Sequence, residues 1–186
     1  MATERDLELT WRSFSLWKRD GDQQGVGLPP FIRDLAVATS RQSLRLLRVF
    51  EALRDADRAE EIQPLYLAWG ERIFKPGPPT APDEMVVKEL VLAAGLEGFV
   101  AAADDERWDA EIEQSMGELA ALAGPTPLVP TLVSGDPPRV IFTGAIVSAP
   151  VPADRGLLLW DAVETLTEDP AFTSLTTNAT PMPSFA

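Results

Sequence analysis

Neither cysteine nor histidine occurs anywhere in the 186 residues. The first absence excludes disulfides, a thiolate nucleophile, a CxxC redox pair and any Cys/His zinc site. The second excludes a Ser-His-Asp triad and every general acid or base built on imidazole. Basic residues are scarce as well, 16 against 29 acidic ones, for a net charge of −13. A body this acidic repels polyanions, so neither nucleic acid nor an anionic membrane is an expected partner. No long apolar run is present: the longest uncharged stretch, Leu119 to Gly135, is short for a spanning helix and carries Pro125, Pro127 and Pro130. The N-terminus, MATERDLEL, lacks the apolar segment of a signal peptide, which makes the cytoplasm the expected location.

What is present is enough apolar material for one domain, 45% of residues. Leu7, Leu9 and Trp11 alternate with polar residues, predicting a strand over 5–17. A glycine-rich loop follows, whose lone Gly25-Val26-Gly27 reads as loop and not as a phosphate cradle. Helical spacing then dominates the region 30–123. Leu46, Val49, Phe50 and Leu53 make one buried face of a helix from Pro30 to about residue 57. On another face of that helix, Arg41, Arg45 and Arg48 read as a solvated stripe, the alternative being an anion or partner site. Ile62, Leu65, Tyr66, Trp69 and Ile73 define a second helix, which Lys75-Pro76-Gly77-Pro78-Pro79 stops. A third carries Val87, Leu90, Val91 and Ala94 inward and ends at Gly95, and a short turn of helix follows at 97–102. A fourth, capped by Asp104 or Asp105, buries Trp108, Ile112, Met116 and Leu119, with Glu111, Glu113 and Glu118 as a solvated acidic face. After Gly124 the period becomes extended. Residues 128–133 and 139–143 read as a hairpin closed by Ser134-Gly135-Asp136-Pro137-Pro138. Gly144 and the segment 149–152 lead to a last helix over 153–167, with Leu159, Trp160, Val163 and Leu166 inward.

The order strand, helices, strand, strand, helix predicts an α/β or α+β layout with a helical subdomain inserted into a small sheet. A proline-ended loop, strand, turn, strand, Gly and helix resembles the C-terminal half of a thioredoxin fold. Trp11-Arg12-Ser13-Phe14-Ser15-Leu16, Leu28-Pro29-Pro30 and Pro64 through Ile73, with Leu90–Ala103 and Thr143–Asp161, extend the resemblance to the actinobacterial DsbA-like family, a branch that includes mycothiol-dependent reductases.

That resemblance implies an α/β thioredoxin-like fold with an inserted helical subdomain, its first strand and first helix missing. It implies one domain over 1–175, divided into a strand at 5–17, a helical insertion at 30–123 and a strand-strand-helix unit at 126–168, with a flexible tail at 176–186. It places a cis-proline at Pro130, and Val129, Pro130 and Thr131 along the substrate groove, where the Val129 backbone would pair with an extended substrate. The family's chemistry rests on a CxxC motif whose first thiolate is activated at a helix N-terminus. This sequence has none. Phe74 stands near where mycothiol-type relatives tend to carry a histidine, and Asp20 near where they tend to carry an asparagine.

The expected function is therefore that of a DsbA-family thiol–disulfide oxidoreductase relative that is redox-inactive as it stands, with no catalytic residue, no cofactor and no metal assigned. The alternative is a non-catalytic thioredoxin-like binding module. Without its first strand, the sheet would expose an edge to a peptide, a partner strand or a second copy of the chain. Three explanations of the missing element stay open: Met1 internal to a longer protein, a thiol-free paralogue, or a different helical α/β protein. A small-molecule transferase of the same superfamily would need a Ser or Tyr where the missing helix begins. Tyr66, the sole tyrosine, reads instead as a core residue with its hydroxyl at the rim.

Overall fold

The computed structural model describes residues 5, 7–74, 80–135, 138–143, 151–169 and 171–172, with the backbone alone at 139–142. Ser15 opens the first helix, α1 (Leu16–Asp20), by accepting the Lys18 N–H on its side-chain oxygen at 3.1 Å. Pro30 stands at the first turn of α2 (Pro30–Asp55), where a missing N–H costs nothing. The end of α2 is closed by Asp57 at φ +55°: Arg58 N–H donates to Leu53 O at 2.8 Å, and Asp57 N–H to Arg54 O at 3.1 Å. A 3₁₀ turn (Ala59–Glu61) leads into α3 (Ile62–Ile73). Helix α4 (Val86–Ala93) ends in the same kind of closure around Gly95, at φ +70°. Two 3₁₀ segments, Glu97–Asp104 and Glu106–Trp108, precede α5 (Asp109–Ala123). Strands β1 (Thr131–Ser134) and β2 (Arg139–Thr143) and helix α6 (Ala153–Glu168) complete the order.

The chain is mostly helical. Among the described residues the only sheet is the antiparallel pair β1–β2, with Thr131 opposite Thr143, Leu132 opposite Phe142 and a bulge before Val133. This overturns the expected α/β thioredoxin-like fold. The predicted first strand is not one: residues 7–15 have no regular structure, and 16–20 are helical. The alternation of Leu7, Leu9 and Trp11 predicts a strand only if a neighbour takes up its backbone groups, and here side chains do that work. Arg54 of α2 donates to Trp11 O at 2.6 Å and to Ser13 Oγ at 3.4 Å. Ser13 and Ser15 are buried, and a hydroxyl capping a helix competes directly with strand pairing.

The chain divides into two compact units, residues 11–118 on one hand and 1–10 with 119–186 on the other. All of the described buried apolar core lies in the first, from Leu44 to Ile112, built from α2, α3, α4, the 3₁₀ segments and the start of α5. Leu46, Leu53, Ile62, Leu65, Val87, Val91 and Ile112 are essentially inaccessible, as helical spacing predicts for one face per helix. Two expectations for this core fail. Tyr66 is 44% exposed, its ring against Trp11 at 5.0 Å between centroids, and Ala94 is exposed.

In the second unit Pro127 is the one buried apolar residue among those described. Helix α6 buries none, and two of its four predicted inward residues, Leu159 and Leu166, are exposed. The Lys75–Pro79 stop, Gly144, the first half of the 149–152 segment and the tail at 176–186 lie outside the described residues. No helix among the described residues is long and apolar enough to cross a membrane.

Candidate functional site

The residues expected to line a groove sit at the entry to β1. The Val129–Pro130 peptide bond is cis, the isomer that the resemblance places there. Val129 and Thr131 are half-buried and Pro130 is exposed. The Thr131 hydroxyl donates to the Leu128 carbonyl, which fixes the side chain against its own loop. Each strand pairs only with the other, so among the described residues the outer edges of the hairpin carry no further strand.

In the other unit, the arginine stripe of α2 is solvated only at Arg41, which is exposed; Arg45 is half-buried and Arg48 buried. Arg48 is 9% exposed and makes a bidentate pair with Asp109, Nε to Oδ1 at 2.7 Å and Nη2 to Oδ2 at 3.0 Å. Lys18 of α1 reaches the same carboxylate at 3.0 Å, and Glu113 at 2.5 Å. Arg45 holds Asp104 through two 2.8 Å bonds and donates to Glu84 O at 2.5 Å. Arg41 lies over the Trp17 ring, 4.4 Å from its centroid. The stripe therefore clamps α2 to α1 and to the start of α5. Asp109 is also the first residue of α5, where a negative charge is favoured by the helix dipole.

These pairings decide what the cluster can do. Every guanidinium in it already faces a carboxylate or a carbonyl, which leaves no open anion cradle. Asp109 is held below the usual carboxylate range first by the Arg48 hydrogen bonds and then by Lys18. Asp104 is lowered chiefly by its bonds from Arg45. Each displaced carboxyl among the described residues moves in that direction, Asp20, Glu118 and Asp161 included, with side-chain hydrogen bonding as the largest cause. None of these five is tuned toward neutrality, as a general acid working near pH 7 would need to be. No group of three or more acidic side chains among the described residues is arranged to hold a metal ion.

A pH dependence follows. The folded pKa values of Asp104 and Asp109 are depressed, so their contribution is fully present above the unfolded value of about 3.9 and is lost as pH falls through the lower folded values. Lys18 is displaced the other way, since its bonds to Glu113 and Asp109 outweigh the burial that opposes them. Its contribution fades only as pH rises through that raised value, well into the alkaline range. The melting temperature is expected to stay level through neutral pH and to fall steeply below about pH 4. In a calorimetric series, Asp109→Asn is expected to flatten that acid limb.

One shallow cleft lies where α2 ends, lined by Ala52, Asp55, Gly98, Phe99, Arg107 and Trp108 among others. Its volume, about 250 Å³, falls below the roughly 300–1,000 Å³ usual for small-molecule sites. Phe74, near the expected histidine position, is exposed just beyond α3, where its N–H donates to Gly70 O. Asp20 is paired with its neighbour Arg19. Neither belongs to a cluster with Val129, Pro130 and Thr131 within one unit.

Sequence reasoning missed the Lys18–Asp109–Arg48 arrangement. The signal available was the spacing of Arg41, Arg45 and Arg48, one helical face, together with Asp104 and Asp109 flanking a buried Trp108. A family model described as Rv2466c-like, mycothiol-dependent nitroreductase Rv2466c, matches residues 1–177. No curated protein matches the chain.

Proposed function

Since the chain belongs to the Rv2466c-like family of mycothiol-dependent nitroreductases, which it matches over residues 1–177, we propose that it serves a mycothiol-linked redox reaction without carrying the redox step on its own side chains. The family is one of redox enzymes. The observation that carries this reading is the absence of cysteine from a chain that matches a thiol-dependent family almost throughout. Thiol–disulfide exchange proceeds by thiolate attack on a disulfide sulfur through a mixed disulfide, and no residue here can form one. Electrons for such a reduction come from two thiols that become one disulfide, and both must be supplied from outside these 186 residues. No imidazole is present to activate an external thiol, and the displaced carboxyls are pulled downward.

What the residues can contribute is binding. Val129, Pro130 and Thr131 fit a segment that receives an extended peptide, because they open a strand whose outer edge is unpaired among the described residues. That second reading, a non-catalytic module at a strand edge, makes the hairpin and not the arginine cluster the place of contact.

Insulin reduction driven by dithiothreitol tests the main reading. The rate with the purified chain is expected to equal the rate without it. Turnover proportional to the chain's concentration would overturn the proposal.

A further inference from the structure

The cleft at the end of α2 is walled by acids and aromatic rings together. Asp55 is the last residue of that helix, where the helix dipole is already negative. A carboxylate there is unfavourable unless a cation covers it, and Asp55 makes no ion pair among the described residues. Asp105, between the two 3₁₀ segments, lines the same cleft and pairs with Arg107, two residues on, at 3.0 Å. Phe99 and Trp108 supply the rings. Trp108 is 7% exposed, and its indole N–H has no acceptor among the described residues.

Both rings already take a guanidinium from within the chain. Arg107 lies 4.4 Å from the Trp108 centroid and Arg58 5.5 Å from that of Phe99, inside the reach of about 6 Å for a cation over a ring. Arg107 displays the full arrangement, a planar cation on an indole with a carboxylate at its Nε. Its side chain is 68% exposed, and an ion pair that open to water is weak, so this occupant is exchangeable. The volume of about 250 Å³ suits a head group and not a larger molecule. A Cβ added at Gly98 would meet nothing within 4 Å, so the cleft is open on that side.

We infer that this cleft is a binding site for a guanidinium group, with Asp55 and Asp105 as its counter-charges, Phe99 and Trp108 as its stacking walls, and Arg107 as the internal occupant that a ligand displaces. An ammonium is a compact, strongly hydrated charge with no plane to stack, so lysine-type ligands fit less well. Divalent metal ions are not favoured, since no three acids among the described residues are arranged to hold one. An arginine within a peptide also carries carbonyl oxygens, the kind of acceptor that the Trp108 N–H lacks. The net charge of −13 draws cationic ligands toward the chain.

The five tryptophans give five indole N–H signals in the nuclear magnetic resonance spectrum of the nitrogen-labelled chain, and Trp108→Phe identifies one of them. N-acetyl-arginine amide, titrated at low salt, is expected to move the Trp108 signal saturably and to leave the other four in place. N-acetyl-citrulline amide, of the same shape without the charge, is expected to move none. Asp55→Asn is expected to weaken binding at least fivefold, and Gly98→Leu, which fills the open side, at least tenfold. Arg107→Ala is expected to tighten it, because the internal occupant is gone. Methylguanidine carries the same plane without carbonyls: binding equal to that of the amide assigns the site to small guanidines, and weaker binding assigns it to arginine in a peptide. The absence of any saturable movement at Trp108 would overturn the proposal. So would an equal response to the citrulline amide, unchanged affinity in both Asp55→Asn and Gly98→Leu, or weaker binding by Arg107→Ala. Unchanged far-UV circular dichroism of each variant excludes misfolding as the cause of a loss.

Discussion

Leu53→Ala is expected to destabilise the protein by about 3–5 kcal/mol, the range for removing a fully enclosed leucine from a close-packed core. Leu53 is 0% exposed, in the last turns of α2. Its carbonyl also receives the Arg58 N–H that closes the helix, so backbone collapse around the new cavity is restricted and the cost falls toward the upper part of that range. Against a total stability of roughly 5–15 kcal/mol, this is about a fifth or more of what holds the domain folded. Leu67→Ala removes the same atoms from an exposed position on α3 and is expected to cost under about 0.5 kcal/mol. Urea denaturation of both variants separates them. Equal shifts in midpoint would mean that the helices present other faces to the core.

The second large effect concerns Asp109. Asp109→Asn keeps the size of the side chain and removes the charge that Arg48 and Lys18 share. Arg48 is then left about nine-tenths buried, with Glu106 at 3.8 Å and the Ala103 carbonyl at 3.5 Å. Removing one partner of a buried ion pair strands the other, at a cost of about 3 kcal/mol. Asp104→Asn breaks an equally well-formed bidentate pair with Arg45, but the Asp104 side chain is 69% exposed. Water screens that interaction, and the expected loss is under about 1 kcal/mol. A thermal or urea series on the two variants tests whether burial, and not bond count, sets the difference. Arg48→Met with Asp109→Leu, which removes both partners, is expected to recover much of the loss.

The helices were legible because each carries its own signal. Leu46, Val49, Phe50 and Leu53 repeat at helical spacing, and Gly95 and Asp105 mark ends that the structure keeps. The hairpin was legible from the turn residues between 134 and 138. The first strand was misread because alternation at Leu7, Leu9 and Trp11 reports which side chains face which way, not what satisfies the backbone. The competing signal was local, a serine one residue before Leu16-Trp17, and it wins because Ser15 caps α1 while Arg54 takes the Trp11 carbonyl. The inward face assigned to α6 failed for a related reason: periodicity finds an apolar stripe and does not say what covers it.

Arg45 and Arg48 were misread in the opposite sense, while Arg41 is exposed as expected. Arg41, Arg45 and Arg48 are charged residues on one face, and solvation is the usual fate of such a stripe. The partners of Arg45 and Arg48 lie more than fifty residues away, at Asp104 and Asp109, and the packing of the 3₁₀ segments Glu97–Asp104 and Glu106–Trp108 against α2 brings them together. The candidate site at Val129, Pro130 and Thr131 came from resemblance, and the structure places these residues at the entry to β1. The absence of cysteine remained the most informative single fact. It means that these 186 residues hold no thiol of their own.

The most direct test is mycothiol-driven reduction of a nitroaromatic compound by the purified chain. The expected result is a rate, followed by loss of the nitro chromophore, that is the same with and without the protein at every mycothiol concentration. A rate that rises in proportion to protein and saturates with mycothiol would contradict the account, because it would show these residues carrying the redox step without a thiol of their own.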